Sequence, residues 1–269
     1  MYKNHSMITD QFINNIVKQI ENTRGVKVLL MVESGSRTWG FESAESDWDI
    51  KFIYTRPNDW YLSLYNGWDQ TIDYKSGFSK IECTGWILPK ALKLLKSGNA
   101  SAHEIIRSPI LYYSYPEFLD EITKLSHQFF DPVPAAWHYN SLASGNLNKY
   151  VDTGGYFKLK QVLHVCRAAL SSKYIVVLKE FPPMDISVLL DKGSVIGVPT
   201  DIVHSIRKLV RMKQGAQDMG LGYWEEFSPL TKWLKNEIMN TKDILLSGGF
   251  ERPDISVKVL DEAFRRFCL

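Results

Sequence analysis

Two aspartates, Asp47 and Asp49, stand two positions apart in Ser46-Asp47-Trp48-Asp49-Ile50, shortly after the turn-forming run Glu33-Ser34-Gly35-Ser36-Arg37-Thr38-Trp39-Gly40. On a strand, residues i and i+2 point to the same face. The two carboxylates are therefore expected to aim at one point, with Trp48, Ile50, Phe52 and Tyr54 alternating out of phase with them. Hard oxygen ligands converging beside a phosphate-sized backbone turn are the equipment of Mg²⁺-dependent nucleotidyl transfer.

That chemistry has a short parts list. Backbone N–H groups hold phosphates, and Gly35 and Ser36 fit that role. Carboxylates hold one or two divalent ions, the role of Asp47 and Asp49. A cation, Arg37, neutralises charge on the leaving pyrophosphate. A third carboxylate on a neighbouring strand completes such a site; Glu82 and Asp73 both qualify on spacing. Each part has a plainer reading. A lone acidic pair can be a turn signal, and Arg37 can cap the turn or pair with Glu42 or Glu45. Glu33 reads as a buried partner of Arg37 rather than a ligand.

The elements that must position these residues are visible as patterns. Phe12, Ile13, Ile16, Val17 and Ile20 predict an amphipathic helix over 9–22, ended by Gly25. Residues 28–32 form an unbroken apolar run, as in a strand covered on both faces. Further strands are expected at 49–54, 71–74, 79–84 and 109–113, with a helical turn at 60–65 and helices at 88–96 and 102–106. From about Tyr115 long helical periods take over, at 117–125, 135–150, 156–179, 200–214, 224–246 and 256–267. A mixed α/β half followed by an all-helical half is the implied α+β architecture.

The bulk numbers exclude little and are consistent with this. The chain has 269 residues, 45% hydrophobic and 23% charged, enough for one large domain or two modest ones. A net charge of +2 leaves any nucleic-acid surface to local patches such as Arg207, Lys208, Arg211 and Lys213, a run that a solvated helix face also explains. Cys83, Cys166 and Cys268 lack metal-ligand spacing and fit a reducing compartment. With no signal-like run or membrane-length apolar stretch, a cytoplasmic protein and no membrane partner are expected.

The paired motifs resemble those of the DNA polymerase β-like nucleotidyltransferase superfamily, most closely its predicted nucleotidyltransferases associated with RNA repair. The likeness rests on Glu33 to Phe41 and Ser46 to Tyr54. It continues through Gly85-Trp86-Ile87-Leu88, Asn99, Glu104, Ser108-Pro109-Ile110-Leu111-Tyr112, His138-Tyr139 and the stretch from Lys160 through Arg167 to Ala169. It spans roughly residues 28–180.

The resemblance implies a catalytic domain over 1–114, a polymerase β-like mixed sheet with flanking helices. A helical domain over 115–269 would form the other wall of the cleft. It selects Glu82 over Asp73 as the third carboxylate, with Asp47, Asp49 and Glu82 as catalytic and metal-binding residues for Mg²⁺ or Mn²⁺. Gly35, Ser36 and Arg37 would bind the nucleotide with Lys160 and Arg167, a pair that a solvated basic face also explains. The substrate would be a nucleoside triphosphate such as ATP. The acceptor would be an RNA end or tRNA, a protein or a small molecule. Glutamate at 82 and isoleucine at 87 replace usual aspartates, which keeps a second reading open: a nucleotide-binding regulator on an inactive scaffold.

Overall fold

The computed structural model describes residues 8–64, 70–75, 80–150, 155–215 and 221–268. Residue 65 of the expected 60–65 turn and residue 79 of the expected 79–84 strand lie outside that set. The first elements are α1 (Asp10–Arg24), β1 (Lys27–Ser34), α2 (Ser36–Trp39), β2 (Trp48–Thr55), α3 (Asn58–Tyr61), β3 (Thr71–Lys75) and β4 (Ile81–Ile87). They are followed by α4 (Leu88–Lys96), α5 (Ala100–Ile106), β5 (Leu111–Ser114), α6 (Pro116–Gln128), α7 (Pro132–Tyr150), β6 (Tyr156–Lys158) and α8 (Leu159–Leu178). The chain ends with α9 (Ile186–Asp191), α10 (Thr200–Gly215), β7 (Leu221–Tyr223), a 3₁₀ turn (Trp224–Phe227), α11 (Ser228–Ser247) and α12 (Lys258–Phe267).

The architecture is α+β. Five strands form a mixed sheet in the order β3-β4-β2-β1-β5, in which β2 and β4 are parallel and the other pairs antiparallel. The apolar run of β1 explains its interior place between β2 and β5, because both its faces are covered. On one face Val28 and Met31 join Ile50, Phe52 and Tyr54 under Ile13, Ile16, Val17 and Ile20 of α1. On the other, Leu30, Val32 and Ile53 pack with apolar residues of α4, α5, α6 and α12. Helix α1 starts where the Thr9 side chain accepts the Phe12 N–H, and stops at Gly25, whose N–H donates to the Glu21 carbonyl at 2.9 Å.

The chain forms two compact units that are not consecutive in sequence. One holds the chain up to Thr38, Asp47–Phe130 and the part from Pro253 onward; the other holds Trp39–Ser46 and Asp131–Arg252. The expected cut after residue 114 is therefore displaced. Phe118, Ile122 and Leu125 of α6 bury against the sheet's own core, as do Leu260, Ala263 and Phe267 of α12. The helical unit is built around α8, apolar on nearly every side as a central helix must be. Residues 156–158, expected as the start of that helix, instead pair as β6 with β7. In this unit Lys173 of α8 meets Glu237 of α11 at 2.8 Å, and Thr241 Oγ1 donates to the same carboxylate.

Candidate active site

Strand β1 runs out at Ser34, and the chain turns through Gly35 at φ +75°. Thr38 closes the turn by donating both its N–H (3.1 Å) and its Oγ1 (2.8 Å) to the Gly35 carbonyl. The turn needs glycine twice over. Positive φ strains a residue with a side chain, and a Cβ at Gly35 would overlap Asp49 Oδ2 and lie 3.1 Å from its Cγ. The Asp49 carboxylate thus rests directly on the turn, as the spacing of the two motifs suggests.

Cross-strand register supplies the rest. Asp49 pairs with Glu82 on the parallel strand β4 and with Ser34 on β1, and Glu82 pairs with Lys75 on β3. Residues paired across a ladder share a face, so Lys75, Glu82, Asp49 and Ser34 form one polar row. The next row on that face is Asp73, Thr84, Lys51 and Val32. The choice between Glu82 and Asp73 is therefore geometric: Glu82 is directly beside Asp49, and Asp73 is one row along and two strands away.

Asp47 sits one residue before β2 and is exposed. Its carbonyl accepts from Arg37 Nε at 3.2 Å, and the Arg37 guanidinium lies over the Trp48 ring, 3.6 Å from its centroid. Ser36 is buried at the start of α2. Among the described residues no three His, Cys, Asp or Glu side chains group into a ready-made metal cluster, so the expected trio does not converge as a closed cage. What remains suits Mg²⁺, which is commonly held by one or two carboxylates plus substrate phosphates and water. Neighbouring strands run about 4.8 Å apart, close to the span of two oxygens each ~2.1 Å from one ion. Asp49 and Glu82, side by side on neighbouring strands, are carboxylates of this row that could contribute to holding such an ion.

Glu33 is fully buried, and not as a partner of Arg37 alone. Its Oε2 accepts from Tyr112 Oη at 2.6 Å and its Oε1 from the Asp49 N–H at 2.9 Å. Its carbonyl accepts from Ser108 Oγ at 2.7 Å, and its N–H donates to the Ile110 carbonyl at 3.0 Å. Burial pushes the carboxyl up to about 7, against the lowering effect of the two hydrogen bonds. Burial and the adjacent Glu33 raise the Tyr112 phenol well above its usual range. Cys83, pushed up to about 12 by burial, is an inert core thiol. A glutamate inside the run Val28–Val32 and its extension is a sequence signal of a buried carboxylate; its donors, far along the chain, leave none.

Lys160 and Arg167 both lie on α8, yet only Lys160 is exposed. Arg167 is 4% exposed, its Nε donating to the Met184 carbonyl at 3.1 Å and its guanidinium lying 4.8 Å from Trp39 and 5.8 Å from Tyr139. Spacing put the two on one face but not at one depth. In the structure Arg167 is an interior residue packed against Trp39, whereas Lys160 faces solvent. Phe41 is fully buried in the same core, and Lys213 Nζ donates to Ser43 Oγ at 2.8 Å. The segment after the turn is thereby part of the helical unit.

Residues 9–263 match the family model described as RNA repair pathway DNA polymerase beta family. The chain belongs to that family. A relative within reach of direct comparison is Uncharacterized protein YcgL of Bacillus subtilis (strain 168), 31% identical over 211 residues, which cover 78% of this chain and 79% of the relative. Family membership carries a polymerase β-type nucleotidyltransferase scaffold linked to RNA repair. The matched span takes in Asp49 and Glu82 of the polar row and Lys160 and Arg167 of α8. Among the described residues no helix is long and apolar enough to cross a membrane.

Proposed function

We propose that this family member is a Mg²⁺-dependent nucleotidyltransferase that moves a nucleoside monophosphate from an NTP to an acceptor hydroxyl, that of an RNA end. The observation that carries this reading is the register of Asp49 with Glu82 and the seating of the Asp49 carboxylate on the Gly35 turn. Family membership supports the RNA end as acceptor. When bound, the metal supplies positive charge where phosphate charge builds up. Gly35 and Ser36 cradle the β- and γ-phosphates with backbone N–H groups, and Arg37 offsets charge on the leaving group. Asp47, Asp49 and Glu82 would hold the ion. The acceptor oxygen bonds to the α-phosphorus as the α–β bridging oxygen departs with pyrophosphate, and Glu82 takes the hydroxyl proton.

The test is transfer of label from an α-labelled NTP to RNA by wild type and by the Asp47→Asn, Asp49→Asn double variant. Loss of transfer in the variant is expected; undiminished transfer removes the assignment. A second reading, a nucleotide-binding regulator, draws on Lys75 standing beside an exposed Glu82 that is one methylene longer than aspartate. Calorimetry separates the two, because a regulator binds NTP without Mg²⁺ and releases no pyrophosphate with any acceptor.

A further inference from the structure

Asp49 is held from two sides. Its carboxylate rests on Gly35, and its backbone N–H is taken by a side chain, Glu33 Oε1, rather than left to the ladder alone. That side chain is itself fixed: Tyr112 Oη bonds the second carboxylate oxygen at 2.6 Å, and the Glu33 main chain is tied to Ser108 and Ile110. Glu33 lies on β1 two residues before the turn, so one residue couples the strand that ends in the turn to the strand that carries Asp49. A buried carboxylate is costly to keep in a protein interior unless its lone pairs are satisfied. Apolar residues fill the surroundings of Glu33, including Met31, Ile50 and Cys83, and a leucine there would serve packing alone.

We infer that Glu33 is a positioning residue for the candidate metal site: with Tyr112 as its clamp, its carboxylate fixes the Asp49 main chain and so the direction of the Asp49 carboxylate. The inference rests on the reading of Asp49 as a ligand. Partners behind a metal ligand typically change metal affinity by about 10- to 100-fold when removed. Glutamine can reproduce the arrangement, its oxygen accepting from the Asp49 N–H and its amide donating to Tyr112 Oη.

The experiment measures binding of Mn²⁺ alone to the full chain by electron paramagnetic resonance, with folding of each variant checked by circular dichroism. Glu33→Ala is expected to weaken Mn²⁺ by about 10- to 100-fold, Tyr112→Phe by less, and Glu33→Gln hardly at all. Ile20→Ala, which loosens the α1 packing away from Asp49, is expected to leave Mn²⁺ affinity unchanged. If Glu33→Ala does not fold, Tyr112→Phe against Glu33→Gln carries the comparison. Wild-type affinity in Tyr112→Phe and Glu33→Ala overturns the inference, as does an equal loss in Ile20→Ala. Asp49→Asn marks the site itself. Should it bind Mn²⁺ like wild type, the metal reading fails as well; should it lose Mn²⁺ while the Glu33 and Tyr112 variants keep it, only the role of Glu33 fails.

Discussion

Replacing Gly35 with alanine separates backbone strain from damage to the site. At φ +75° a residue with a Cβ pays about 1–2 kcal/mol relative to glycine. The added Cβ would also overlap Asp49 Oδ2 and stand 3.1 Å from Asp49 Cγ. Carbon–carbon contacts settle at about 3.5–4.0 Å, so the carboxylate has to retreat by about 1 Å. Asp49 is only half-buried and can yield, so this second effect goes into misplacement rather than into stability. A 1 Å error in a reacting group costs about 10²-fold in rate. Gly25 provides the matched control: its φ is +60°, and a Cβ there meets nothing within 4 Å. Both variants are expected to lose about 1–2 kcal/mol in urea denaturation. Only Gly35→Ala is expected to lose Mn²⁺ binding and transfer from an α-labelled NTP. Retention of both in Gly35→Ala, or a matching loss in Gly25→Ala, would refute the reasoning.

Three further outcomes are expected. Glu82→Gln should lower transfer by about 10²-fold or more, while Asp73→Asn, one row along the sheet, stays within a few fold; the opposite ranking would return the third-carboxylate role to Asp73. Burial, with Arg107 and then His127 nearby, holds the His103 imidazole down to about 3. A depressed folded-state value means stability that is full above the unfolded value of 6.5 and lost as pH falls toward 3. Between pH 7 and pH 5 wild type should therefore lose about 2 kcal/mol more than His103→Gln in urea denaturation, and equal losses would contradict the burial of a neutral imidazole. Arg167→Lys keeps the charge but not the planar donor that faces Trp39 and Met184. It should destabilise the protein by about 1–3 kcal/mol, and an unchanged denaturation midpoint would count against its anchoring role.

Local pattern made most of this structure legible. The apolar run of β1, the alternation in β2 and the amphipathic spacing of α1 each reflect burial of neighbouring residues, and sequence records that directly. The glycine-serine turn was readable as a local motif, and Asp49 proves to rest against it, while Asp47 stays exposed ahead of the strand. Pairing between distant segments was not. That Glu82 lies beside Asp49 depends on β4 running parallel to β2, and that Tyr112 reaches Glu33 depends on β5 closing on β1. Nothing in the spacing of those residues encodes either. The β6–β7 pair escaped notice because three-residue strands between helices leave no alternation to count. The burial of Arg167 was not legible because a seven-residue interval fixes azimuth around a helix and says nothing of depth below the surface.

The chain passes from one compact unit to the other after Thr38, again after Ser46, and twice more after Phe130 and Arg252. Cutting the gene at any one of these points therefore yields no self-sufficient half. A fragment stopping at 130 would retain Trp39 and Phe41 without the core that receives them, and one starting at 131 would lack both. The turn that cups Asp49 is joined by a single peptide bond to residues whose burial depends on helices encoded more than a hundred positions later. A ribosome must therefore release nearly the whole polypeptide before Trp39 and Phe41 can be buried.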